Sequence, residues 1–244
     1  MDWTKAKTIL IVALIVTNLV LIATYLFQNN RFAGDEKEMQ DVTVKLLEEK
    51  NIFVDADIPE GTHRMAKLTV QYDKMDEDVI QEQLDDQKLL PASEESDRSL
   101  MDRTEDFINK CGLMNDHVKF EGIERKGKET RIIYKNYIND IAIEDSHIIC
   151  TVKDGKLVDF DRYWLNPVEV SDIEKKVIPA AAALIKFMTE KTDDDKIYIK
   201  DISLVYWLDS NSFNAESPVT DTAFPAWKIT YNRDKIQYIL AWEQ

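Results

Sequence analysis

Between Thr8 and Phe27 run 20 residues without a charge, and no other feature limits so strongly what the chain can become. At about 1.5 Å of rise per residue, a helix of that length crosses a hydrocarbon core of roughly 30 Å. Secretory signals carry a shorter apolar region, roughly 7 to 15 residues, followed by small residues at a cleavage site. Here the exit reads Tyr25-Leu26-Phe27-Gln28-Asn29-Asn30-Arg31, so the segment is expected to stay attached. Lys5 and Lys7 precede it and only Arg31 follows closely. That bias puts the N-terminus in the cytoplasm and the bulk of the chain outside. The expectation is a cytoplasmic tail (1–7), a transmembrane helix (8–28) and an extracellular domain on a single-pass cell-membrane protein.

The remaining roughly 210 residues suffice for a sizeable core. The whole chain has 31 Lys and Arg against 46 Asp and Glu, a formal net charge of −15. Nucleic acid and anionic lipid or wall polymer all demand cationic clusters, so this balance argues against them and favours protein partners. Cys111 and Cys150 fall in the exported part, where a disulfide can persist. Spacing alone does not bring the two sulfurs together.

Outside the membrane the patterns alternate between helix and strand. Met39, Val42, Leu46 and Leu47 have helical spacing within Asp35 to Lys50. Short strands follow at Ile52-Phe53-Val54 and from Lys67 to Tyr72, then a helix from Asp76 to Gln87 and an acidic loop from Leu90 to Ser99. A further helix, Asp102 to Lys110, ends at Gly112. Strands are expected near His117 to Glu124, Thr130 to Tyr137, Ile143 to Val152 and Leu157 to Trp164, with a hairpin turn at Asp154-Gly155. Ser171 is read as the cap of a helix reaching about Lys191, kinked or broken by Pro179. Strands at Ile197 to Leu208, Ala226 to Tyr231 and Ile236 to Trp242 close the chain. If Arg233-Asp234 makes the last turn, Tyr231 opposes Ile236, Ile229 opposes Tyr238 and Trp227 opposes Leu240. The fold class is α+β: helices on antiparallel sheets, in a membrane-proximal part (29–100) and two helix-plus-sheet units (101–170 and 171–244) that repeat one plan.

No constellation of residues announces chemistry. Gly122 to Glu129 nearly spells a phosphate-binding loop, but Glu129 replaces the metal-holding hydroxyl and the stretch lies between two strands, so it reads as a basic hairpin turn. His63, His117 and His147 are scattered, and on a strand His147 and Cys150 point to opposite faces. Asp193-Asp194-Asp195 lacks the alternation and central glycine of a calcium loop; Asp73, Asp76 and Asp78 likewise read as solvated acids. There is no nucleophile elbow, and six glycines make no cofactor cradle. Trp164, Trp207, Trp227 and Trp242 are expected in the core. Neither a catalytic residue, a cofactor nor a metal is assigned, and the chain is read as a non-enzyme.

The span then becomes the candidate working part. Ala13 and Thr17 are four residues apart, Thr24 lies seven beyond, and this strip of small residues allows a second helix to approach closely. Asn18 is adjacent, and an amide in hydrocarbon gains from an interhelical hydrogen bond.

Two stretches carry a family resemblance: Met1-Asp2-Trp3-Thr4-Lys5-Ala6-Lys7-Thr8-Ile9 leading into the span, and Pro225-Ala226-Trp227-Lys228-Ile229 in the closing hairpin. With the length and the acidic outer part, the chain resembles the YycI (WalI) family from end to end, the two ends being most specific and residues 35–110 least. The resemblance implies an accessory regulator of an essential sensor histidine kinase, WalK (YycG), that controls cell-wall homeostasis in low-GC Gram-positive bacteria. It also implies a membrane complex with the sister protein YycH, transmembrane helices that adjust kinase activity, and an α+β outer domain related to YycH domains. No catalytic residue is transferred by it. The alternative is an extracellular ligand sensor or inhibitor on a passive anchor; a wall-active enzyme is the third class.

Overall fold

The computed structural model describes residues 14, 17, 18, 36–61, 63–86, 96–191, 195–208 and 220–242. Most of the proposed span, including Ala13 and Thr24, lies outside these residues, as do Asp193, Asp194 and most of the acidic loop. Leu14, Thr17 and Asn18 are helical and exposed. No helix among the described residues is long and apolar enough to cross a membrane.

The protein is α+β, with a large, mainly antiparallel sheet. A helix covering 36–48 (α1) leads into β1 (Ile52–Val54), β2 (Arg64–Met65) and β3 (Leu68–Tyr72). Two helices follow, α2 (Glu77–Asp85) and α3 (Asp97–Lys110), and then a meander of β4 (Val118–Lys126), β5 (Glu129–Ile138), β6 (Ile141–Lys153) and β7 (Lys156–Tyr163). After β8 (Leu165–Val170) and the short β9 (Lys175–Lys176) come α4 (Ala180–Glu190), β10 (Ile197–Trp207), β11 (Thr220–Tyr231) and β12 (Lys235–Leu240). Ten of these strands form one sheet along the path β4-β5-β6-β10-β11-β3-β8, with β1, β7 and β12 pairing off it; β2 and β9 form a separate pair.

Local chemistry explains the meander. Its turns sit where positive φ is cheapest: Gly127 at +65°, Asn139 and Asp140 at +48° and +66°, Asp154 and Gly155 at +48° and +73°. The latter two pairs have the left-handed geometry that matches strand twist. The Gly127 turn joins Lys126 directly to Glu129, so this stretch is the basic hairpin expected and opens no helix. On β5, Ile132, Tyr134, Asn136 and Ile138 alternate inward. Helix α3 starts earlier than expected because Ser96 and Ser99 cap each other reciprocally. It stops where Gly112 takes φ +71°, with Gly112 and Leu113 N–H donating back to the carbonyls of Asn109 and Ile108.

Two of the expected elements come out differently. Residues 171–179 are not helical: β9 forms instead, and Pro179, at φ −58° and ψ +151°, precedes the first turn of α4. Proline has no N–H for an interior helical bond and biases Ile178 toward extended backbone, so Ser171 turns back only on the Ile173 N–H. The closing hairpin is shifted by one residue. Asn232-Arg233-Asp234 form a three-residue loop, with Asn232 and Asp234 at positive φ, and Tyr231 opposes Lys235, Ile229 opposes Gln237 and Trp227 opposes Ile239. The shift turns β12 over: Ile239 is buried beside Trp227, while Ile236 and Leu240 face outward.

The apolar side chains make two cores. The larger gathers Leu47 of α1, Ile52, Leu68, Val70, Leu184 and Phe187 of α4, and Trp227 and Ile229 of β11. The smaller lies under α3, where Leu100, Phe107 and Ile108 meet Ile132, Tyr134, Ile148, Cys150 and Trp164. Strand β6 serves both, giving Ile143 to the first and Ile148, Cys150 and Val152 to the second. Beyond its start, β6 pairs with β7; at its start, Ala142 and Ile143 lie parallel to Val205 and Tyr206 of β10.

Candidate interaction surfaces

The passage of β6 between the cores is made by an irregularity. Lys135 of β5 opposes His147, yet the next residue, Asn136, opposes Ile143, so Glu144, Asp145 and Ser146 are extra residues on β6. Such bulges re-aim side chains. Ser146 accepts the Leu165 N–H at 3.1 Å, and Asn136 donates to the Leu165 carbonyl at 2.8 Å, so two buried side chains replace the missing ladder bonds.

Glu144, thrown out by the bulge, meets lysines from both sides. Its carboxylate accepts from Lys228 of β11 and from Lys135 of β5 at 3.4 Å. The Glu144 side chain is 8% exposed. Burial pushes its pKa up, but Lys228 and Lys135 outweigh that and hold the carboxyl below the usual range. Next to it, burial and the Glu144 charge push Asp145 upward. The two acids and two lysines balance formally, so this is a neutral brace between strands of the two halves.

A second tie lies at the end of β3. The Arg162 guanidinium, on β7, donates to the Asp73 carboxylate at 2.6 Å and to the Asp73 carbonyl at 3.0 Å, and lies over the Trp164 ring. Asp73 is therefore not merely solvated, and Asp76 caps α2 by accepting the N–H groups of Asp78 and Val79. Only long-range packing reveals the first of these; the second follows from the acid standing before a helical pattern.

Among the described residues, two open surfaces bear on contact. Between α3 and the β4–β5 hairpin lies a cleft of about 510 Å³, lined by Met114, Val118, Phe120 and Tyr134 below and by Asp102, Glu105, Asp106 and Asn109 along the helix. Residue Glu121 is a bulge in β4, which returns Ile123 and Arg125 to the face that carries Val118 and Phe120. Tyr134 bonds Thr104 at 2.6 Å, fixing the floor to the helix. The other surface is β8, which pairs with β3 and exposes Val168 and Val170, with Ile173 just beyond.

No group of three or more His, Cys, Asp or Glu stands ready to hold a metal among the described residues. His147 is tied to the Asp145 carbonyl and to Asp161. Cys111 and Cys150 are both free thiols, and burial pushes both pKa values up. Trp164 and Trp227 are buried, as expected, and the Trp227 indole donates to the Ile178 carbonyl at 2.9 Å, whereas Trp207 and Trp242 are only half-buried, Trp207 stacking on Tyr238. Of the span positions, Thr17 and Asn18 are helical neighbours, whereas Ala13 and Thr24 fall outside the described residues.

The geometry defines an α+β domain with two braced cores and open faces suited to contact. The chain matches the family model described as YycI protein across residues 33–241, and it belongs to the YycI family. No curated protein matches it.

Proposed function

We propose that this protein is a membrane-anchored accessory regulator of a cell-wall-sensing histidine kinase of the WalK (YycG) type. It acts without chemistry of its own, by protein contact and transmembrane-helix contact, together with a YycH-like partner. The observation that carries this reading is membership of the YycI family over residues 33–241. The uncharged stretch from Thr8 to Phe27 supplies the anchor, with the N-terminus in the cytoplasm and the C-terminal domain outside.

In this reading Ala13, Thr17, Asn18 and Thr24 form the strip that meets another helix. A helix that binds one conformation of the kinase better than the other moves its equilibrium only by that difference, about tenfold for 1.4 kcal/mol. A membrane two-hybrid assay against the kinase and the YycH-like protein tests it, using the full chain, residues 1–33 alone, and the outer domain on an unrelated anchor. Signal from residues 1–33 supports a working helix. Signal only from the re-anchored domain makes the helix a tether, and no signal from any form removes the proposal.

A further inference from the structure

The cleft beneath α3 has two kinds of wall that no feature of the fold itself requires to be left open. Its floor exposes Phe120, 37% accessible, beside the half-buried Met114 and Val118. Phe120 continues the apolar surface of Met114 and Val118 beneath a polar rim, which is the make-up of a binding groove. Its rim carries Asp102, Glu105 and Asp106, which share one face of α3 at i, i+3 and i+4. Lys110 neutralises Asp106 at 2.7 Å, while Asp102 and Glu105 have no ion pair among the described residues. Arg125, the nearest cation of β4 on that face, is taken by Asp97 at the start of the helix.

We infer that this cleft is a docking site for a cationic amphipathic segment of a different protein, which sets an apolar side chain against Phe120 and lysine or arginine against Asp102 and Glu105. Charge complementarity selects that occupant. A second copy of this chain is disfavoured, since each carries a net charge of −15 and the rim is itself acidic. Anionic lipid is repelled for the same reason. An apolar residue flanked by cations satisfies both walls at once: the ring gains burial, and the carboxylates gain partners at the water's edge.

The inference rests on the proposed regulatory role only for the partner's setting, a membrane complex. The test places the photoreactive p-benzoyl-phenylalanine at Phe120 in the full-length chain, in its own membrane, and identifies the cross-linked peptide by mass spectrometry. The expected adduct is a peptide of another protein bearing lysine or arginine next to an apolar residue. Its yield should fall at least tenfold in the Asp102→Lys, Glu105→Lys double variant and about threefold in Asp102→Asn, Glu105→Gln. Both residues are exposed on α3, so an unchanged melting curve is required of the neutral variant, which decides the matter if the reversed one misfolds. Absence of an adduct, an adduct to a second copy, an adduct to an acidic or uncharged segment, or a yield indifferent to both variants overturns the inference. A kinase-output reporter in a strain lacking the chain is read separately. An unchanged reporter defeats the regulatory reading, and a changed reporter without an adduct defeats the cleft alone.

Discussion

Arg162 and Asp73 stand 89 residues apart in sequence and meet at 2.6 Å, with the arginine side chain 2% exposed and the aspartate 37%. The asymmetry sets the energetics. Removing the carboxylate leaves a cation in the interior, whereas removing the cation leaves an acid that can rehydrate.

Asp73→Ala should therefore cost about 3 kcal/mol and Arg162→Met clearly less. Urea unfolding followed by tryptophan fluorescence measures both. Equal losses would show that the stranded guanidinium carries no extra penalty.

Glu144→Gln leaves Lys135 and Lys228 without their shared anion and should cost about 3 kcal/mol at neutral pH. The folded carboxyl titrates below its ordinary 4.5, so its contribution is fully present above that pH and is lost as pH falls through the lowered folded value. Asp145, raised by burial, acts oppositely: its ionisation costs stability as pH rises through its own elevated range. The gap between wild type and Glu144→Gln should thus narrow toward pH 3. A gap independent of pH between 3 and 7 would mean the brace contributes packing and not charge.

Cys150 is fully buried and Cys111 only partly, and burial raises both thiols above their ordinary value. Iodoacetamide at pH 8 should label Cys111 slowly and Cys150 only once the chain unfolds. Mass spectrometry of the native protein with two equally fast alkylations would contradict the packing of β6 against α3.

Trp227→Phe removes the indole N–H that satisfies the Ile178 carbonyl just before Pro179. The loss should be about 1 to 3 kcal/mol, from the unpaired carbonyl and the smaller ring together. Thermal melting monitored by circular dichroism checks it, and no change would imply that the carbonyl finds another donor.

The sequence reveals most of what local chemistry controls. Gly112, Asp154-Gly155 and the basic turn at Gly127 are visible because each needs a residue that tolerates positive φ. What stays hidden depends on distant partners. β8 contains Pro167, a residue that disfavours strands, yet an edge strand tolerates it because β3 pairs on one side only. The β12 register turns on whether the loop has two residues or three, and Asn232, which decides it, looks the same in either. Glu144 gives no sign of its brace, since the bulge that aims it is a feature of how β6 pairs with β5 and not of its own local sequence. The candidate cleft is hidden likewise: its acids are plain on α3, but Phe120 reads as one more strand residue until the hairpin folds beneath the helix.

One strand built into two cores has a consequence for how the molecule comes apart. Because Ile143 belongs to the larger core and Ile148, Cys150 and Val152 to the smaller, neither half can open fully without tearing the other's wall. Amide hydrogens on both stretches of β6 should then exchange with deuterium through a single, shared opening event. A disturbance that opens one half therefore reaches the other through β6, a shared fate that two independently packed units would not have.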